Sequence, residues 1–392
     1  MRLSGQRAVV ARLGTTQTLA WASSYYLPAL LAGPMAADLG WSVNQVFGAF
    51  TLALVISALV GPRAGRAIDE WGGRPVLMAT NLLFALGLFT LGLTQAEWQM
   101  WMAWALIGLA MGSGLYDSAF ATLVRLYPHG ARNAITGVTL VAGFASTVGW
   151  PLTAWWLETL GWRGACMAWG GLHLVIGLPL HGSLPRAPLE VPPPPMQVSS
   201  ADTLAVVPRV PRWTGVAMAT VFAITWFSST AMASHLPALL QGQGLSAGAA
   251  LGMALLVGPA QVAGRLLEFG LLRQWHPLFS ARLAAVAHPL GVLGLMAFGP
   301  SAAWLFASLH GAGNGVLTIA KGTLPLVVFG PLGYGQRQGW LMAPARIAQA
   351  LAPVLFGLAI ARWGGAALWL TAALGLLSWV MLQAMSRGLA RA

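Results

Sequence analysis

Apolar residues in this chain recur in runs of about twenty, and nearly all charges fall in the gaps between them. A helix rises about 1.5 Å per residue, so a run of about 20 residues crosses the hydrocarbon of a bilayer. Twelve such runs stand near 14–36, 44–64, 75–94, 99–122, 134–156, 164–183, 213–237, 247–271, 279–299, 302–326, 340–360 and 366–386. A β-barrel would show shorter, alternating segments instead. The 392 residues are 57% hydrophobic and only 8% charged, against about 25% charged in a soluble domain. Such a chain cannot cover a water-facing surface. The expected fold class is an all-α membrane protein with twelve transmembrane helices.

The longest gap splits the runs six and six. It spans Pro185 to Pro211 and contains Pro192-Pro193-Pro194-Pro195 and Ser199-Ser200. A segment of this composition packs no core and reads as an extended linker. The expected organisation is an N-terminal six-helix bundle over 1–183, a cytoplasmic proline-rich linker over 184–212 and a C-terminal six-helix bundle over 213–392. Arginine placement sets the topology. With the N-terminus inside, Arg2, Arg7, Arg12, Arg63, Arg66, Arg74, Arg125 and Arg132 fall on inner segments with many others, whereas the outer loops hold Arg163 and Arg362. Both termini are expected in the cytoplasm, in a bacterial inner membrane. The net charge of +12 then faces anionic headgroups, and no nucleic-acid partner is implied. The run after Arg12 is too long for a signal-peptide core, so the first helix is expected to stay as an uncleaved anchor. Cys166 is the single cysteine, which excludes an intrachain disulfide and suggests no metal cluster. No cofactor is expected.

The two halves carry weak internal symmetry. Gly112-Ser113-Gly114 in helix 4 has a counterpart in Gly313-Asn314-Gly315 of helix 10, and Ser42 and Ser246 cap helices 2 and 8. Counting from these caps aligns Asp69 with Arg273. A second register aligns Gly65-Arg66 with Gly264-Arg265 and Asp69 with Glu268. The first keeps helices 2 and 8 similar in length and is preferred.

A charge inside the hydrocarbon is costly unless it faces a cavity or a partner, so each one marks a candidate site. Asp117, Glu268, Arg265, Lys321 and Arg346 qualify. Arg265 and Glu268 share a helix face at i and i+3. Arg265 either holds an anionic group of a substrate or pairs internally with Glu268 or Asp117. Lys321 either contacts substrate or snorkels to the inner surface, and Arg346 either contacts substrate or a headgroup. Asp117 and Glu268 are either the natural proton carriers, should protons drive the cycle, or members of static salt bridges. His173, His235, His288 and His310 read as packed histidines. Helices 1 and 7 are too polar to face lipid: one holds Trp21, Ser23, Ser24, Tyr25 and Tyr26, the other Thr225, Trp226, Ser228 and Ser229. They should line an aqueous path with Tyr116 of helix 4 and Asn314 of helix 10.

The stretch from Gly65 to Leu77 contains Gly65, Asp69, Gly72 and Arg74 between two apolar runs. It resembles the loop between helices 2 and 3 of the major facilitator superfamily, usually Gly-x-x-x-Asp-Arg-x-Gly-Arg. It departs at Glu70 and at Gly73, which sets Arg74 one place late. The resemblance extends over the whole chain. It implies two pseudo-symmetric bundles rocking about a central cavity, a monomer, and a gating role for Gly65, Asp69, Gly72 and Arg74. Gly112 to Tyr116, Arg132 to Gly137 and Gly258 to Arg265 are similar to the monocarboxylate porter group. That likeness implies a substrate carboxylate on Arg265 with Tyr116 near the site. The acidic residue usual a turn before the helix 8 arginine is here Gln261.

The expected function is proton-coupled transport of a small organic anion, with Arg265, Tyr116, Tyr25, Trp21, Asn314, Lys321 and Trp226 as candidate substrate contacts. A rival of the same class is a proton-driven exporter of drugs, for which Gly149-Trp150-Pro151 gives a partial helix 5 match. A non-transporting sensor or membrane enzyme is a third, remote reading. No HExxH, P-loop or Gly-x-Ser-x-Gly motif supports an enzyme.

Overall fold

The computed structural model describes residues 3–128, 130–186, 210–211 and 213–390. Among the described residues eight helical stretches are long and apolar enough to cross a bilayer. Three of them reverse direction inside, at Gly161, Gly299 and Gly364, whose φ angles are 70°, 64° and 55°. A side chain in that backbone region would strain, and glycine makes the tight reversal cheap. Counting these reversals and the first helix, the chain crosses twelve times, as the apolar runs predict.

In order, α1 is Leu3–Ala22 continued by Pro28–Leu39, and α2 is Val43–Trp71. α3 is Gly73–Gly92, and α4 is Glu97–Gly114 continued by Tyr116–Leu126. α5 runs from Ala131 to the reversal at Gly161, and α6 from there to Gly182. α7 is Trp213–Gly242, and α8 is Ala247–Leu255 continued by Val257–Gly270. α9 is Pro277–Phe298, α10 is Ala303–Phe329, α11 is Tyr334–Trp363 and α12 is Leu368–Ala390. Several helices overrun the expected apolar spans, α1 by a full eleven residues at its start, because a helix continues at little cost into the polar headgroup zone. The expected linker falls largely on 187–209 and 212, outside the described residues.

Two breaks shape the centre of the molecule. In α1 the hydroxyls of Ser23 and Ser24 bond back to the carbonyls of Leu19 and Ala20. Pro28 then restarts the helix without an N–H to place. In α4, Leu115 is extended, after the weak helix formers Gly112, Ser113 and Gly114. Tyr116 and Asp117 therefore open a new helix, and Asp117 sits in its first turn, where the helix dipole favours an anion.

The outer surface is apolar: Leu59, Val175 and Leu358 are 62%, 74% and 64% exposed. Only lipid makes such a surface stable. Inside, the N-terminal bundle has one continuous apolar core running from Leu13 and Leu31 to Trp104 and Trp169. The C-terminal bundle has two. One gathers Met232, Phe306 and Phe356, the other Met218, Leu324 and Met385.

The bundles meet most tightly along α2 and α11, on the face of the membrane where both termini lie (the terminal face). Gly65 lies directly on the backbone of Gly335, and Gly339 on that of Pro62. No side chain separates the two helices there, which is the small-residue packing that membrane helices favour.

Candidate functional site

The α2–α3 turn closes the terminal face by capping a helix of the other bundle. The Asp69 carboxylate accepts from the backbone N–H of Gly335 and Gln336, at 2.9 and 2.8 Å. Those are the orphan donors that open α11, and the helix dipole adds to the attraction. Asp69 thus pairs with neither Arg66 nor Arg74. Arg66 binds Glu70 at 2.7 Å, Arg74 makes no hydrogen bond among the described residues, and Arg125 of α4 donates to the Asp69 carbonyl. Gly72 ends α2 with φ 84°.

The pseudo-equivalent contact joins α8 to the start of α5. Glu268 meets the Arg132 guanidinium at 3.3 Å, and Arg132 also donates to the Trp275 carbonyl at 3.0 Å. Glu268 thus stands to α5 as Asp69 stands to α11. The packing of the glycines keeps the cap-anchored register: Gly108 and Gly112 rest on Ala53 and Ser57, and Gly311 and Gly315 on Val257 and Gln261, the same offset that separates Ser42 from Ser246. Glu268 therefore makes this contact without being the register equivalent of Asp69, and α8 ends sooner than α2, at Gly270.

His276 caps α9 beside this contact, its Nδ1 accepting from the Leu278 N–H at 3.2 Å. Partial burial, and then the guanidinium groups of Arg132 and Arg282, lower its pKa below the ordinary 6.5. Protonation is therefore easier in the unfolded chain. The stability that neutral His276 contributes is present above about pH 6.5 and is lost as pH falls through that value toward the folded pKa. The wild-type melting temperature is expected to drop slightly more between pH 7.5 and pH 5.5 than that of His276→Asn, which retains a capping acceptor and does not titrate. Parallel pH curves for the two proteins would refute this.

Above the closed face, between the bundles, lies a narrow cavity of about 20 Å³. Its walls bring together Trp21, Tyr25, Tyr116, Asp117, Trp226 and Lys321 of the sequence-expected residues. Arg346 and Gln349 of α11 join them. Asp117 and Arg346 form a buried ion pair across the two bundles, Oδ2 to guanidinium 2.5 Å. Gln338 donates to the other carboxylate oxygen at 3.3 Å. Arg346 also reaches the carbonyls of Ser57 and Met111, so α11 inserts its side chain between α2 and α4. The polar sequence Gln338, Arg346, Gln349 within an apolar helix, spaced eight and three apart, was the signal for this wall.

Lys321 makes no ion pair among the described residues, although the Asp117 carboxylate is near enough to attract it. Its ammonium lies 4.5 Å from the ring centre of Trp226, 4.9 Å from Tyr116 and 6.0 Å from Trp21. Cation–π attraction holds it there. Arg265 is 6% exposed and pairs with neither Asp117 nor Glu268. One guanidinium nitrogen donates to the Thr139 carbonyl at 3.2 Å, packed against Gly143 of α5, and its Nε has no partner. It lies behind the cavity wall, not in it.

Asn314 faces elsewhere. It donates to Ser229 at 2.9 Å and lines a second hollow of about 40 Å³ inside the C-terminal bundle. His288 and His310 meet there, Nδ1 to Nδ1 3.0 Å, and His288 continues to Thr371 at 2.9 Å. Ser228 and Ser378 also line it, their hydroxyls unpartnered. This polar hollow is what divides that bundle's apolar core. In the other bundle His173 bonds Ser23 and Asn81, and Asn81 bonds His181, at 2.8, 3.0 and 2.5 Å. A π-helical turn at His173–Gly177 brings both imidazoles to Asn81.

Two six-helix bundles closed at one face over a central charged cavity define a membrane transporter, not an enzyme. The chain belongs to the Major Facilitator Superfamily, whose family model matches residues 13–331. It is 29% identical over 362 residues to an uncharacterized 38 kDa protein of Thermoproteus tenax, covering 92% of this chain and 91% of that one. It is 30% identical to mouse monocarboxylate transporter 11 over 127 residues, 31% of this chain and 28% of that protein. The proton:xylose symporter XylE shares the fold with a TM-score of 0.75 at 14% identity, over 98% and 96% of the two chains.

Proposed function

We propose that this transporter moves a small organic anion of the carboxylate class through the central cavity by alternating access. One observation carries the reading. The polar groups of the wall left without a partner are donors: the Trp21 indole N–H, the Gln349 amide nitrogen and the ammonium of Lys321. Asp117 pairs with Arg346 and attracts Lys321 from further off, so one carboxylate faces two cations, and Arg265 adds a further cation close behind. Buried donors left unmet are expensive, and an anion meets them. The cavity is narrow in this state, with about 20 Å³ open to a water-sized molecule, far below the roughly 300–1,000 Å³ of a ligand site, so a substrate is admitted only as the bundles part.

In this reading Lys321, Trp21, Tyr25, Tyr116 and Trp226 contact substrate, and Arg265 joins them as the bundles shift. The Asp69 cap and the Gly65–Gly335 contact form the gate, with Gly72 and Arg74 shaping its turn. Arginine bias puts the termini in the cytoplasm of a bacterium, so the cavity is sealed toward the cytoplasm in this state. Asp117 and Glu268 are the acids available to a coupling proton, each released from its arginine only when the bundles part. The carrier works as a monomer.

A thermal-shift screen of organic acids tests this. At least one carboxylate is expected to stabilise the wild-type protein. Lys321→Gln and Arg265→Ala should lose that stabilisation while retaining the ligand-free melting temperature within a few degrees. Stabilisation by no acid, or equal stabilisation of all three proteins, would remove the anion reading.

A further inference from the structure

We infer that the anion is an aromatic carboxylate, its ring laid on the indoles of Trp21 and Trp226 and its carboxylate turned to Lys321. The inference rests on the anion reading above and narrows it.

The walls decide the substrate's shape. Trp21 of α1 and Trp226 of α7 come from opposite bundles, yet their rings lie parallel within 2° at a centroid separation of 6.1 Å. Tyr116 lies 5.1 Å from Trp21, and Tyr25 meets the same ring edge-on at 5.5 Å. Apolar side chains of Leu54, Leu115, Met111 and Met342 complete the enclosure. A short hydroxy acid would need acceptors and donors for its own hydroxyl. The wall gives it few, since Ser57 donates to the Leu54 carbonyl and Asp117 is held by Arg346 and Gln338. In this closed state the two indoles stack on each other, so a flat ring takes the place of one indole on the face of the other when the bundles part.

The charge argument agrees. The aromatic cage around Lys321 keeps its ammonium charged without engaging its N–H bonds, because ring faces attract a cation but take little directional hydrogen bonding. Among the described residues no oxygen accepts from that ammonium. The Trp21 N–H is equally unspent. An aromatic acid supplies both missing parts at once, a carboxylate for the donors and a ring for the faces. A neutral aromatic leaves the buried ammonium unmet, and an aromatic amine adds a second cation beside it. Because the two indoles belong to different bundles, a ring that touches both also ties substrate binding to the approach of the bundles.

The test is titration calorimetry of the full chain in detergent at neutral pH with four probes: benzoate, cyclohexanecarboxylate, lactate and benzamide. Benzoate is expected to bind about tenfold tighter than cyclohexanecarboxylate, a difference of about 1.4 kcal/mol, and tighter still than lactate. Benzamide should not bind. Trp226→Leu should erase the preference for benzoate over cyclohexanecarboxylate, and Trp226→Phe should retain it. Lys321→Gln should lose both acids. If benzoate and cyclohexanecarboxylate bind alike, or lactate binds best, the aromatic inference falls and the anion reading stands. If no acid binds, or benzamide matches benzoate, the anion reading itself falls and takes this inference with it.

Discussion

Arg346→Ala is expected to destabilise the protein by about 3–5 kcal/mol and to abolish transport. The side chains of Arg346 and Asp117 are only 9% and 10% exposed, so removing the guanidinium strands a carboxylate in a low-dielectric interior. It also releases the carbonyls of Ser57 and Met111 that Arg346 bridges. The same arginine ties α11 to α2 and α4, so its loss weakens the sealed face as well as the cavity wall. Asp117→Asn with Arg346→Gln replaces two charges by two neutral amides, and this double variant should recover most of the lost stability. It should not recover transport, because the amide pair cannot exchange one ionic partner for another during the cycle. Thermal unfolding of the wild type, the double variant and its two single variants, Asp117→Asn and Arg346→Gln, gives the coupling energy directly. Uptake of the acid that best stabilises the wild type gives the second readout. A melting temperature for Arg346→Ala equal to that of the wild type would show that the pair holds nothing together.

Gly65→Leu is expected to force the terminal face open. Gly65 rests on the Gly335 backbone with no room for a β-carbon. A leucine there pushes α2 from α11 by the thickness of a side chain, and the Asp69 cap on Gly335 and Gln336 cannot stretch to follow. The fold itself survives, because the contact lies between bundles and not within one. What shifts is the balance between conformations. A cysteine placed at Ser57, on the cavity wall, reports it, since Cys166 is buried and gives little background. Its labelling by a membrane-impermeant maleimide added from the terminal side should rise by at least about tenfold in the Gly65→Leu background. Unchanged labelling would mean that these glycines pack without gating.

The sequence made the twelve crossings legible because a bilayer imposes one length and one polarity on every helix that spans it. It also marked Asp117, Lys321, Arg265 and Arg346 as out of place, since ionic groups in hydrocarbon need a reason. It could not assign partners. Asp117 meets Arg346 across 229 positions of sequence, and Arg265 offered a guanidinium of identical chemistry at a similar depth. Only the approach of α11 to α4 separates the two. The i and i+3 spacing of Arg265 and Glu268 was equally misleading: both sit on one helix face, but Arg132 from the other bundle takes the carboxylate. Asn314 was expected on the central path, whereas in the structure it meets Ser229 and faces the hollow inside the C-terminal bundle. The helix breaks at Ser23 and Leu115 depend on local competition between side-chain and backbone hydrogen bonds, which hydropathy does not register.

The hollow around His288 and His310 makes the two halves unlike inside. The N-terminal half is held by one run of apolar contact with the network of His173, Asn81 and His181 folded into it. In the C-terminal half the two imidazoles and Thr371 join three helices by hydrogen bonds where apolar contact is interrupted. Such bonds have one geometry, so any slip of one helix past its neighbour there has to break a bond first.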